Sequence, residues 1–115
     1  MRPDAAALLW DARRACELVQ QFIAGSSVEK YVADVLVTSA VERQMAIVGE
    51  ALNRLSMADP QTAAGITGLA RIVGFRNILV HGYTSVDSFL VWQLATANVP
   101  VLLVEVDRLL AQAPE

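Results

Sequence analysis

One eight-residue stretch, Arg76-Asn77-Ile78-Leu79-Val80-His81-Gly82-Tyr83, gathers much of what this chain could use for chemistry. Its histidine is the only one in 115 residues. Imidazole gives and takes protons near neutral pH, so it can serve as a general acid or base. A guanidinium can stabilise charge that grows on a phosphate oxygen. On a helical wheel of about 100° per residue, Leu69, Ile72, Val73, Arg76, Leu79 and Val80 share one arc. Arg76 therefore sits inside an apolar stripe, a costly place for a charge unless it is paired. Glu50 or Glu42, on a neighbouring helix, are its candidate partners. A second arc holds Ala70, Gly74, Asn77 and His81. Two small residues followed by two polar ones make a shallow trough, where a ligand or another backbone could approach. Arg76 and His81 point about 140° apart, so one straight helix cannot make them a tight pair. They converge through the arginine's length, through fraying at Gly82, or across a two-fold axis with a second chain. His81 lies in the last helical turn, where the helix dipole favours the imidazolium by roughly 0.3–1 kcal/mol.

The elements that must position this stretch are all helical. Pro3-Asp4 can open a first helix. Its apolar positions are Leu8, Leu9, Ala12, Ala15, Cys16, Val19 and Phe22/Ile23, and Gly25-Ser26-Ser27 ends it. Ser27 caps a second segment, Val28 to about Val37, with a weak spot predicted at Thr38-Ser39. Val41, Met45, Val48, Leu52 and Leu55 then step by 4, 3, 4 and 3, the stripe of a bundle helix. Glu50 precedes Arg54 by four, the favourable order for an ion pair on a helix. Asp59-Pro60 stops that helix, and residues 59–68 form the main loop. The next helix runs from about Thr67 to His81, with Gly82 as its C′ residue. Asp87 caps a last helix that Pro100 should kink. No strand signal, repeat or low-complexity tract is evident. The reading is all-α: a single domain over residues 1–115, folded as an antiparallel up-and-down helical bundle of four main helices plus a short one.

Composition narrows the function. The hydrophobic fraction is 55% and the mean hydropathy +0.43, more apolar surface than so small a domain can bury alone, which favours a homodimer. A membrane span is not expected, because the uncharged run from Ser88 to Val104 contains Gln93, Asn98 and Pro100 and is shorter than the ~20 residues needed. A net charge of −3 argues against stable duplex DNA binding. Lys30 is the lone lysine beside eight arginines, and arginine suits planar contacts to phosphate. One cysteine, Cys16, permits neither an internal disulfide nor a cysteine-rich metal site. Glu42, Glu50, Asp87 and Asp107 lack metal-ligand spacing, so neither metal nor cofactor is expected. The N-terminus does not read as a signal peptide, and the expected location is cytoplasmic.

Arg76, four residues, then His81-Gly82-Tyr83, with Asn77 directly after the arginine, resembles the R-x4-6-H motif of HEPN-domain ribonucleases. It most resembles the R-x4-H-x-Y form of the HepT-like toxins. The segments Ala40-Val41-Glu42-Arg43, Ile47-Val48-Gly49-Glu50-Ala51, Ile72-Val73-Gly74-Phe75 and Tyr83-Thr84-Ser85-Val86-Asp87, with Trp92, extend the likeness over residues 27–110. The resemblance implies a HEPN-like bundle that dimerises to bring two motifs into one cleft. It also implies metal-independent endoribonuclease activity through attack by a ribose 2′-hydroxyl. His81 would be the general acid or base, Arg76 the transition-state cation, and Asn77 a group orienting phosphate or histidine. The implied partner is a minimal nucleotidyltransferase antitoxin that silences the toxin by transferring AMP to Tyr83. The alternative is a non-catalytic substrate-binding or partner subunit of a nucleotidyltransferase. RNA binding in so acidic a chain would fall to a few arginines, with Arg43, Arg54, Arg71 and Arg76 as candidates.

Overall fold

The computed structural model describes residues 1–82 and 86–112, and among these every regular element is helical. In order these are α1 (Pro3–Ile23), α2 (Val28–Ala33), α3 (Val35–Ala58), α4 (Pro60–Ala63), α5 (Leu69–His81), α6 (Ser88–Gln93), a π-helical turn (Leu94–Asn98) and α7 (Val99–Ala111). α3 is the axle, with α1 on one side and α5 on another, while α7 packs back on α1.

The α1–α3 contact follows from two matching ladders. Ala5, Leu9, Ala12, Cys16 and Val19 on α1 and Val41, Met45, Val48, Leu52 and Leu55 on α3 are all buried. Both sets step at alternating intervals of three and four residues, the periodicity of knobs-into-holes packing at a shallow crossing angle. The two helices run antiparallel, because the Arg2 backbone N–H, at the start of α1, donates to Asp59 Oδ2, at the end of α3 (3.0 Å). Asp59 also accepts from the Thr62 backbone N–H (3.2 Å) and the Thr62 hydroxyl (2.7 Å), which caps α4. These donors, led by the Arg2 N–H, hold its carboxyl down at about 2. Burial of the Cys16 thiol in this core pushes it up to about 12, as expected of an inert structural cysteine.

Local boundaries depart from the sequence pattern in four places, one of them the short helix α4 (Pro60–Ala63), capped by Asp59, inside the expected loop 59–68. The break before α3 falls at Asp34 rather than Thr38-Ser39, because the Asp34 carboxylate accepts from the Val37 N–H (3.1 Å) and caps the helix there. The Thr38 hydroxyl meanwhile bonds back to the Val35 carbonyl (3.1 Å), inside α3. Gly82 ends α5 with φ −100°, outside the left-handed region. A side chain there would place its Cβ 2.7 Å from the Ile78 carbonyl oxygen, so the terminus suits glycine for space rather than handedness. The last helix keeps going past Pro100, which sits in the first turn of α7 just after the π turn. The Thr96 hydroxyl accompanies that turn by bonding back to the Trp92 carbonyl (2.9 Å).

By length and apolarity alone, Ser88–Ala111 could cross a membrane. In the bundle, however, its Val91, Ala95, Val99, Leu102, Val106 and Leu109 face the core. Tyr31 fastens α2 to α6 by packing on Trp92, with ring centroids 5.3 Å apart. Trp10 is instead 56% exposed, with the Arg13 guanidinium over its ring at 5.6 Å.

Candidate active site

α5 carries the candidate residues, and it is a lightly held helix: none of its residues is fully buried. Its N-terminus has no side-chain cap, and Gly68 takes up φ +69° there. The Thr67 N–H and hydroxyl bind the Glu105 carboxylate of α7 (3.1 and 2.6 Å), which ties the entry of α5 to the last helix. Leu69, Ile72, Phe75 and Leu79 lean on the core from outside.

The close point between α3 and α5 is Gly49 against Arg76. A Cβ on Gly49 would fall 2.2 Å from Arg76 Cβ, so only a missing side chain lets the two helices approach this far. The next residue on α3, Glu50, then meets the arginine head: Arg76 Nη2 lies 2.6 Å from Glu50 Oε2. That oxygen is closed off from solvent and has no aligned hydrogen bond, so the contact is an ion pair of charge against charge. Glu50 Oε1 takes a hydrogen bond from Arg54 Nε at 3.0 Å. The Arg54 hydrogen bond, then the charge of Arg76, hold the Glu50 carboxyl below its ordinary range against the opposing effect of burial.

On its other side, Arg76 Nη1 donates to Asn77 Oδ1 at 2.8 Å. Asn77 thus helps to orient the arginine through its carbonyl oxygen. Arginine has five N–H donors, and only two of its nitrogens are engaged here, so donors remain for an incoming oxyanion. The Arg76 side chain is one-quarter exposed, so it is not sealed from solvent.

Two depressions flank α5. One, about 760 Å³, lies toward α1 and is lined by Arg14, Arg43, Glu50, Arg54, Arg76 and Val80, among others. The other, about 430 Å³, lies toward α6 and α7; it is mostly apolar, with Met45, Ile72, Phe75, Ile78, Leu90 and Leu94 on its walls. Arg76 faces the first. His81 is exposed and lines neither, and Asn77 is exposed beside it. The wheel's separation of arginine and histidine therefore persists in the folded chain. The trough face is open as well: among the described residues, nothing lies within 4 Å of a Cβ built on Gly74. Tyr83 lies outside the described residues, as do Thr84 and Ser85.

Two arginine assignments change with the fold. Arg71 lines the apolar groove, on the far side of α5 from Arg76. Arg14, which no sequence motif singles out, joins Arg43, Arg54 and Arg76. Gly49 stands out in the sequence only as part of a familiar segment. A glycine inside a long helix costs about 1 kcal/mol against alanine, and that cost is the available hint that something packs on it.

The arrangement suits chemistry on a phosphate: an arginine pinned by a carboxylate and an amide, and a solvent-facing histidine about one and a half turns further along. Among the described residues no cluster of histidine, cysteine and acidic side chains could hold a metal ion. The family described as "Ribonuclease HepT-like" matches residues 12–109. A Methanocaldococcus jannaschii protein named "Putative RNase" is 29% identical over 104 residues, covering 90% of this chain and 94% of its own. A "Putative RNase" from Caldanaerobacter subterraneus is 28% identical over 95 residues, covering 83% and 84%. No solved structure gives a significant match.

Proposed function

The chain belongs to the HepT-like ribonuclease family, and from that premise we propose that it is a toxin endoribonuclease acting without a metal. The observation that carries the reading is Arg76, held between Glu50 and Asn77 with donors to spare, on the helix whose last turn displays the sole histidine.

In the proposed reaction His81 takes the proton of a ribose 2′-hydroxyl, and the 2′-oxygen attacks the adjacent phosphorus. Negative charge grows on the non-bridging oxygens, where Arg76 stabilises it. The bond from phosphorus to the 5′-oxygen breaks, and that oxygen takes a proton from water as it leaves. The products are a 2′,3′-cyclic phosphate and a 5′-hydroxyl. Arg76 and His81 of one chain diverge, so the working site joins the motif of one copy to that of a second. A homodimer is supported by the open Ala70–Gly74 trough and by the exposed Ile78, Val80, Leu90, Val101 and Val104 on α5 to α7. The proposed partner is a nucleotidyltransferase antitoxin in the cytoplasm. AMP transferred to Tyr83, two residues from His81, would add negative charge that repels RNA phosphates.

The test is cleavage of an oligoribonucleotide in the presence of a chelator, with the products identified by mass. A cyclic phosphate terminus is expected, along with no cleavage of a strand lacking the 2′-hydroxyl. A chelator-sensitive reaction, or a product with a 5′-phosphate, would overturn the mechanism. Coexpression with a minimal nucleotidyltransferase antitoxin should add AMP units to Tyr83. An unmodified protein in that experiment removes the silencing step and leaves the nuclease reading intact.

A further inference from the structure

The chain has nine lysine and arginine residues, and four of them, Arg14, Arg43, Arg54 and Arg76, line one cleft between α1, α3 and α5. The acids on its walls are Asp11 and Glu50. Four positive charges less two negative leave the cleft at +2, while the chain as a whole is −3. The remainder of the molecule is therefore at −5, and the positive charge is concentrated beside Arg76.

These arginines are not equivalent. Arg54 and Arg76 share Glu50. Arg13, one residue before Arg14, is engaged by Glu17 (2.8 Å) and Asp107 (2.6 Å). Arg14 and Arg43 are not fully buried and, among the described residues, form no ion pair within 4 Å. A solvent-accessible guanidinium without a carboxylate keeps its donors for an outside anion. The backbone sets their spacing. Arg43 and Arg54 are eleven residues apart on α3, about 16 Å along its axis. Because α1 runs antiparallel from the Arg2–Asp59 contact, Arg14 stands across from Ile47, between them. Leu8, Leu18 and Ile47 line the same cleft.

We propose that Arg14 and Arg43 bind backbone phosphates of a single RNA strand that runs along this cleft past Arg76. The proposal rests on the ribonuclease reading for the identity of the polyanion. A charge of +2 spread over ~16 Å suits a few phosphates of one strand rather than the dense field of a duplex. Arg14 and Arg43 have no part in the chemical step; they place the strand so that one phosphate meets Arg76.

The experiment is fluorescence anisotropy with a labelled, short single-stranded 2′-O-methyl oligoribonucleotide, which 2′-hydroxyl attack cannot cleave. It compares the full chain with R14Q/R43Q, the charge-retaining R14K/R43K, and R71Q/R108Q, which removes two arginines elsewhere. R14Q/R43Q is expected to weaken binding about tenfold or more. The slope of log affinity against log salt should flatten by about 1.4, at roughly 0.7 for each single-strand phosphate that is no longer neutralised. R14K/R43K should keep most of the affinity and the slope, and R71Q/R108Q should stay close to the parent. Equal binding by parent and R14Q/R43Q overturns the proposal, as does an equal weakening in R71Q/R108Q or a parent that binds no oligonucleotide. A parent that binds in the expected way yet cleaves no RNA sinks the ribonuclease reading and leaves the cleft assignment standing.

Discussion

Helices α1 and α5 lie against the same helix, α3, and are held in opposite ways. α1 is seated by a ladder of side chains with essentially no exposure, from Ala5 through Leu9, Ala12 and Cys16 to Val19. α5 buries no residue fully and is located by a few points: Gly49 under Arg76, the Arg76–Glu50 pair, and the Thr67–Glu105 tie before its first turn. The first arrangement supplies stability from apolar area, which is non-directional. The second supplies position from interactions that depend on close distance and aligned geometry. A helix that must present polar side chains to a substrate cannot be buried all round, so its placement is set by charge and close approach rather than by burial. The difference predicts that stability and activity can be damaged separately.

The sharpest separation is His81→Ala. His81 is exposed and makes no side-chain hydrogen bond among the described residues, so melting temperature should stay near the parent's. Removing a general acid or base should slow RNA cleavage by roughly 10²–10⁴-fold. Parent-like cleavage would remove the catalytic role of the trough face. The converse change is Leu9→Ala on α1. Leu9 has no exposure, and a cavity at such a site costs about 2–5 kcal/mol. Chemical denaturation should register this destabilisation, while the folded fraction keeps its kcat. A large drop in kcat below the unfolding transition would mean that the two helices are not independent.

Gly49→Ala tests the contact that joins the two regimes. Its methyl group would need the space of Arg76 Cβ, so α5 must move away. Overpacking of this kind costs about 1–3 kcal/mol. Misplacing a catalytic group by about 1 Å can lower the rate on the order of 10²-fold. Activity should therefore fall by more than the drop in stability explains. A variant that melts lower but cleaves normally would show that Arg76 tolerates the shift.

The same contrast governs what is legible in the sequence. The ladders of α1 and α3 are legible because buried apolar residues repeat at helical period. Asp87 is legible as a cap because a side chain bonding to the next turn is a local event. The candidate residues are legible too, since a lone histidine five positions after an arginine stands out in an apolar segment. Their partners are less so. Glu50 competes with Glu42 for Arg76, and nothing local distinguishes two acids about two turns apart on one helix. Asn77 reads as a group for phosphate or histidine, yet its carbonyl oxygen accepts from Arg76. Arg14 lies some sixty residues from Arg76 in the chain, and only the antiparallel register of α1 on α3 brings it to the same cleft. The break at Asp34 is hidden because Thr38-Ser39 looks like a helix breaker until the Thr38 hydroxyl bonds back into the helix.

Acid should expose the smallest difference between the two attachments, because each depends on one carboxylate. Glu50 pins α5 and Asp59 pins the start of α1, and both are held below their ordinary ranges. A depressed carboxyl contributes stability that is complete above its unfolded value and is lost as pH falls through its folded value. For Asp59 the window runs from about 3.8 down to about 2. For Glu50 it opens below about 4.5. As pH falls from about 5, the α5 contact should begin to weaken first, with the α1–α4 junction following. Amide hydrogen exchange across this range should show faster exchange in residues 69–81 before residues 3–23. Glu50→Gln should flatten the response of α5 alone, and Asp59→Asn that of the α1 start alone. Simultaneous loosening of both helices in every variant would show that the bundle opens as one unit, and that α5 is fastened by its apolar contacts after all.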